Sequence, residues 1–197
     1  MAVDFRDEAP AILKDYLIYK QTIKNMSKKT VDEYFIDLRT FFRFLKVMRG
    51  LVPDGTDFDE IKIDDVDLDL IKTVNLELAY DYMNFLYRDR NNKSASRARK
   101  CSSLKGFFKY ITNNKHLLDT NPVEQLESPK NKKALPKYLT LEQSIELLNA
   151  VDGNNKQRDY CILTLFLNCG LRVSEMAGLN SVSYTHLRAH ETSQDLV

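Results

Sequence analysis

Along the first 115 positions, apolar residues return every three or four places, the spacing of helices that each bury one face. Between Pro10 and Lys24 the set is Ile12, Leu13, Tyr16, Leu17 and Ile23, with Pro10 at the start, where a helix tolerates its missing N–H. Asn25-Met26-Ser27 interrupts the pattern. Val31, Tyr34, Phe35, Leu38, Phe41, Phe42 and Leu45 then form an aromatic stripe whose ordinary use is core packing. Either Ser27 or Thr30 suits the cap of this second helix, since Thr30-Val31-Asp32-Glu33 has the capping-box pattern. A third helix is predicted over 75–90, with Leu76, Ala79, Tyr82, Met83 and Leu86 inward. A fourth runs from Ser94 or Ser96 to about Thr112, with Ala98, Cys101, Leu104, Phe107, Phe108 and Ile111 on one side.

The helical pattern lapses twice. Residues 50–73 are punctuated by Gly50, Pro53 and Gly55 and crowded with Asp57, Asp59, Glu60, Asp64, Asp65, Asp67 and Asp69. Asp65 to Leu70 alternates as a strand does, but an irregular segment with a solvated acidic face is the preferred reading. These acids lack the glycine and terminal glutamate of a calcium loop. The second lapse, 117–138, holds Pro122, Pro129 and Pro136, which stop helices, and Lys130, Lys132, Lys133 and Lys137. Beyond it, Thr140-Leu141-Glu142-Gln143 is a further capping box, opening a helix through Leu147, Leu148 and Val151. An apolar helix from Arg158 to Asn168 follows the turn Asp152-Gly153-Asn154-Asn155, and Gly170 suits a left-handed cap at its end.

Hydrophobic content of 43% and charged content of 29% fit an ordinary globular protein, and no apolar run approaches the roughly 20 residues of a membrane span. Cys101, Cys161 and Cys169 are odd in number and lack metal spacing, so they read as reduced, mostly buried thiols of a cytoplasmic protein. The net charge of +1 conceals segregation. Residues 91–138 hold 11 basic and 3 acidic groups, net +8, whereas residues 53–90 hold 4 and 11, net −7. A basic block of this size is either a solvated surface or a footprint for nucleic acid. Within it, the polar side of the fourth helix carries Arg99, Ser102, Ser103, Lys105, Gly106, Lys109 and Tyr110. Gly106 weakens a helix by about 1 kcal/mol relative to alanine, and on that face it offers a sugar-phosphate backbone close approach. At the other end of the chain, Arg172 opens a helix after Gly170, with Glu175 one turn on as its natural ion-pair partner.

Gly170-Leu171-Arg172-Val173-Ser174-Glu175 resembles the first catalytic box of the tyrosine recombinases, the phage-integrase and Xer-type family. Ser27, Thr30, Tyr34, Asp37, Leu38 and Phe41, at their spacing, are similar to the second helix of that family's core-binding domain, whose start touches the DNA backbone. Ser94 to Tyr110 is similar to the fourth core-binding helix, which lies against the major groove, and Asn121-Pro122 to Leu135-Pro136-Lys137 resembles the Xer-type interdomain linker.

The resemblance implies a mainly α protein. A four-to-five-helix SAM-like core-binding domain would occupy 1–116, a basic linker 117–138, and the helical start of a truncated catalytic domain 139–180. It implies site-specific DNA recombination, in which a tyrosine attacks a phosphodiester to give a 3′-phosphotyrosine and a 5′-hydroxyl, with no cofactor, since the bond energy is conserved. Fixed cations stabilise the charge gathering on the phosphate oxygens, and an arginine fork can hold two of them. Arg172 would be such a catalytic cation and Glu175 its support. The DNA-binding residues implied are Lys28, Lys29, Thr30, Arg97, Arg99, Lys100, Ser102, Lys105, Lys109, Lys130 and Lys137. The implied partners are a double-stranded DNA recombination site and, in the intact protein, a homo- or hetero-tetramer with a related recombinase; no membrane is involved. The Xer likeness favours chromosome-dimer resolution, and so chromosome partition in the cell cycle, over mobile-element integration.

After Asn180 the family pattern stops. Ser181 to Thr192 resembles translated sequencing-adaptor DNA, so 181–197 is expected to be a non-native tail. Its Tyr184, His186, Arg188 and His190 mimic a catalytic cluster, but His186 and Arg188 are two apart where the family has His-x-x-Arg. With no candidate for the second arginine, the lysine, the general-acid histidine or the tyrosine, the chain is expected to bind DNA without cleaving it. Residues 139–180 are expected to be poorly packed. Two readings compete: a standalone helical DNA-binding regulatory module without catalysis, and a helical interaction protein whose basic helix is only solvated.

Overall fold

The structure is a computed structural model that describes residues 8–130 and 137–179; the tail 181–197, and Lys132 and Lys133 of the linker, lie outside the described residues. The chain divides into two compact units between residues 133 and 134. All regular structure among the described residues is helical.

The first unit contains α1 (Ala11–Thr22), α2 (Lys28–Met48), α3 (Leu68–Lys72), α4 (Leu76–Arg88) and α5 (Ser94–Lys109). One wide turn, Tyr110–Asn114, prolongs α5, and the Lys115 N–H closes it on the Tyr110 carbonyl at 3.1 Å. Local chemistry sets the helix starts. Ser27, not Thr30, caps α2, its hydroxyl accepting the Thr30 N–H at 3.3 Å. Asp67 and Asn75 cap α3 and α4, each accepting the N–H three residues on at 2.8 Å.

The 21-residue α2 is the central element, packed against both α1 and α5, while α4 packs on α5. Its stripe is buried as the spacing predicts: Val31, Phe35, Leu38, Phe41, Phe42 and Leu45 are each 1% exposed or less. Aromatic edges knit the helices together, with Phe41 against Tyr82 at 5.1 Å and Phe42 against Phe107 at 5.6 Å between ring centroids. Such pairs add about 0.5–1.5 kcal/mol each beyond the area they bury.

Several expectations are corrected. Residues 50–73 are not merely a solvated acidic loop, because Ile61, Ile63, Val66 and Ile71 are buried. Their acids are recruited by cations of α2: Asp65 lies 2.7 Å from the Lys46 ammonium, and Asp59 lies 3.4 Å from the Arg43 guanidinium. The strand-like alternation at 65–70 resolves into a turn and α3. Ile23 falls past the end of α1 and is 70% exposed. Val123 and Leu126 sit in the core, so the packed unit continues past residue 116. Of the three thiols only Cys101 is buried, and burial pushes its pKa up; Cys161 and Cys169 are exposed.

The second unit contains α6 (Leu141–Asn149), α7 (Lys156–Cys169) and α8 (Val173–Ala177). The capping box at Thr140 forms: its hydroxyl accepts the Gln143 N–H at 3.3 Å, and its own N–H reaches the Gln143 side-chain oxygen at 3.0 Å. Gly170 ends α7 at φ +60°, the left-handed cap its position predicts. None of the described residues 137–179 is buried.

Candidate nucleic-acid interface

The basic residues singled out by sequence fall into two groups, cations without partners and cations already engaged. Lys28 and Lys29 are the first two residues of α2 and are exposed. A cation there opposes the helix dipole, which disfavours it by about 0.3–1 kcal/mol, so helix stability does not account for the pair. Thr30 is exposed beside them, its hydroxyl 2.9 Å from that of Ser27. On α5, Ser102 and Lys109 are also exposed. Among the described residues, Lys28, Lys29, Ser102, Lys109, Lys130 and Lys137 make no side-chain hydrogen bond or ion pair.

Arg99 and Lys100 are held by α2. Asp37, 1% exposed at its side chain, receives the Lys100 ammonium at 3.0 Å and the Ser103 hydroxyl at 2.8 Å. Its second oxygen is also 2.8 Å from Arg99 Nη1, which lies 2.8 Å from Glu33 as well. A buried carboxylate demands such company, since burying it alone is costly. Lys100, with a 10% exposed side chain, is thereby a packing cation that ties α5 to α2. Lys105 is half-buried and donates to the Leu126 carbonyl at 3.0 Å, fastening the segment after α5. Arg97 stacks its guanidinium over the Tyr87 ring at 4.7 Å.

The polar side of α5 is therefore narrower than its helical projection. Ser103 and Tyr110 are buried, and Gly106, partly exposed, has its Cα side turned to Tyr16 of α1. A Cβ at Gly106 would lie 2.8 Å from the Tyr16 hydroxyl. The glycine thus makes room for a buried tyrosine. Burial, then the neighbouring Tyr34 and Tyr19, raise the pKa of Tyr16, so that hydroxyl stays protonated. Lys105 and Lys109, with Thr112, Asn113 and Asn121, line an open cleft of about 590 Å³. A second cleft, of about 410 Å³, holds Arg39 and Arg43, which already face Glu8 and Asp59, and its lining acids Glu8, Asp59, Glu60 and Asp64 outnumber its cations.

In the second unit Arg172 precedes α8. Its backbone N–H donates to Glu175 at 2.7 Å and its guanidinium to the other carboxylate oxygen at 2.9 Å. These two bonds, the backbone one first, hold the Glu175 carboxyl below the usual glutamate range. The Arg172 side chain is 82% exposed, not sunk among apolar neighbours. Glu175 orients it while leaving most of the guanidinium open.

Two residues here had been given no role of their own from the sequence. Asp37 sits on the flank of an apolar stripe, and an acid in that place on a helix otherwise facing the core is the signal. Lys20 lies over the rings of Tyr16 and Tyr34 at 5.2 and 4.8 Å, and burial, then Lys24, lower its pKa. Its signal is the Tyr16 to Lys20 spacing of one helical turn.

The family described as phage integrase, N-terminal SAM-like domain, matches residues 13–115, and the chain belongs to it. The chain is 50% identical over 171 residues to a tyrosine recombinase XerC of Caldanaerobacter subterraneus subsp. tengcongensis, which covers 87% of this chain and 48% of that protein. A tyrosine recombinase XerC of Syntrophus aciditrophicus is 31% identical over 171 residues, 86% of this chain and 51% of that protein. A tyrosine recombinase of Pseudothermotoga lettingae is 31% identical over 169 residues, 85% of this chain and 51% of that protein. The chain thus spans about half the length of the curated relatives it matches. No solved structure matches it.

Proposed function

We propose that the first unit is the duplex-binding domain of a Xer-type tyrosine recombinase and grips DNA through the start of α2 and the open side of α5. The observation that carries this is the position of Lys28, Lys29 and Lys109, exposed at the start of α2 and on the hydroxyl-bearing side of α5 with no ion pair among the described residues. An unpaired lysine at a helix start or on a hydroxyl-bearing face suits a phosphate, and each such contact releases counterions. Thr30 and Ser102 supply neutral donors beside those lysines, and Lys130 and Lys137 extend the positive charge along the linker. Arg97, Lys100 and Lys105 act in this reading by holding α5 in place. Arg172, open on its outer side and steadied by Glu175, is the cation for the scissile phosphate.

In the whole protein the reaction is strand cleavage and rejoining at a recombination site through a phosphotyrosine, with further copies or a related recombinase as partners, in the cytoplasm. No helix among the described residues is long and apolar enough to cross a membrane. The chain as it stands binds DNA without cutting it.

The test is fluorescence anisotropy of a labelled 30-base-pair duplex across a salt series. Binding should fall linearly in log–log form, and Lys109→Ala should lower the slope by about one. Denaturing gels of the same mixtures should show no covalent protein–DNA adduct. Salt-independent binding, or none, would leave the basic edge a solvated surface, and an adduct would refute the loss of cleavage.

A further inference from the structure

Arg99 is the one basic residue on the open side of α5 that is both exposed and held. Its side chain is 45% exposed, yet Nη1 is fixed by two carboxylates, Glu33 and Asp37, at 2.8 Å each. Nε and Nη2 make no hydrogen bond among the described residues. The anchoring is deep: Asp37 is itself locked by Lys100 and Ser103, so the Arg99 clamp rests on the α2–α5 seam and not on a mobile side chain.

Two consequences follow from electrostatics. The cluster Glu33, Asp37, Arg99 and Lys100 sums to zero charge, and the Glu33 carboxylate is half exposed beside the guanidinium. A phosphate approaching Arg99 meets that carboxylate and gains little, whereas Lys28, Lys29 and Lys109 are held by no carboxylate among the described residues. A base edge is uncharged and is not repelled. A guanidinium with two free donors in a fixed plane matches the paired O6 and N7 acceptors of guanine in the major groove. Fixing a long side chain beforehand also removes part of the entropy lost on binding.

We infer that Arg99 is a specificity-determining residue that reads a guanine, with Glu33 and Asp37 positioning it and keeping it off the phosphates. This rests on the duplex-binding reading above. It separates Arg99, which selects sequence, from the free lysines, which supply affinity.

The experiment is selection from a duplex pool with a randomised 30-base-pair stretch, using the full chain as wild type, Arg99→Ala, Arg99→Lys and Glu33→Gln. The salt slope on one enriched duplex is then measured for each. The wild type should enrich a site with one guanine that Arg99→Ala and Arg99→Lys no longer prefer, a loss of about tenfold or more at that position, with the slope unchanged. Arg99→Lys keeps the charge and can still pair with Asp37, so a folded variant is available if the alanine chain melts. Glu33→Gln should weaken the guanine preference and raise the slope by about one, as Arg99 turns to a phosphate.

Uniform weakening of all duplexes by Arg99→Ala, with the slope reduced by about one, would make Arg99 a phosphate contact and overturn the inference. So would an unchanged enriched site, which would leave Arg99 a structural clamp. Wild-type chain that shows no salt-dependent binding overturns the duplex reading itself, and the inference with it.

Discussion

Each unit carries an arginine–carboxylate pair at the edge of a helix, and the two pairs stand in opposite surroundings. Asp37, which holds Arg99, is 1% exposed, joins two helices 62 residues apart in sequence, and is shared with Lys100 and Ser103. Glu175 and Arg172 lie three residues apart on one turn, with side chains 47% and 82% exposed. The first pair exists because a core was built around it, and removing one partner strands a buried charge. The second is a local capping contact that needs no core. The same contrast runs through the units. The phenylalanines of α2 and α5 are buried, whereas the apolar side chains of α7 are only partly so. Burial, more than residue type, decides what each contact contributes.

The contrast breaks most visibly at matched phenylalanines. Phe107→Ala should cost the first unit about 3–5 kcal/mol, since it empties a fully buried ring site against Tyr16, Phe42 and Phe108. Phe166→Ala, on a half-exposed site of α7, should cost less than about 1 kcal/mol. Urea unfolding of both variants checks this, and equal losses would show that α7 is as deeply packed as α5.

A smaller effect separates two glycines. Gly106→Ala should destabilise by about 1–3 kcal/mol, because its Cβ meets the Tyr16 hydroxyl and overpacks the core. Adding Tyr16→Phe should recover most of the loss, since that buried hydroxyl has no hydrogen-bond partner among the described residues. Gly170→Ala has open space around it and should lose only the left-handed backbone preference, about 1 kcal/mol. Thermal melts of the three variants decide it, and failure of Tyr16→Phe to rescue would remove the contact as the cause.

The smallest expected effect is at Glu175. Its folded pKa is lowered, so the capping bonds to Arg172 are present above the ordinary glutamate range and are lost as pH falls through the lowered value. In Arg172→Ala the midpoint should rise but stay below that range, because the larger contribution, the backbone N–H at residue 172, survives. A carbon-detected NMR titration of the Glu175 carboxyl reads this directly, and an unchanged midpoint would show that the guanidinium contributes nothing.

Much of this was legible beforehand. The stripe from Val31 to Leu45, the capping box at Thr140 and the left-handed Gly170 all follow from local periodicity and turn chemistry, which act within a few residues. So does the Arg172 to Glu175 pairing, and Ser27 was one of two caps the pattern offered for α2. Helical projection placed Gly106 with Lys105 and Lys109, with which it lines a cleft, but only the position of α1 reveals that the Tyr16 hydroxyl lies where its Cβ would be. The acidic segment 50–73 misled for a related reason. Its charges outnumber its apolar residues, yet Ile61, Ile63 and Val66 have α2 to pack against, and Lys46 and Arg43 to quench the acids beside them.

By itself, then, the sequence determined the longer helices, the recombinase likeness and the presence of a basic block. Those properties depend on neighbours along the chain. Tertiary structure decided which of the basic residues are free. Lys28, Lys29 and Lys109 make no ion pair among the described residues, while Arg99, Lys100 and Lys105 are drawn in by Asp37, Glu33 and the Leu126 carbonyl. Those partners lie 21 to 66 residues away, a distance over which no pattern in the chain foretells a contact.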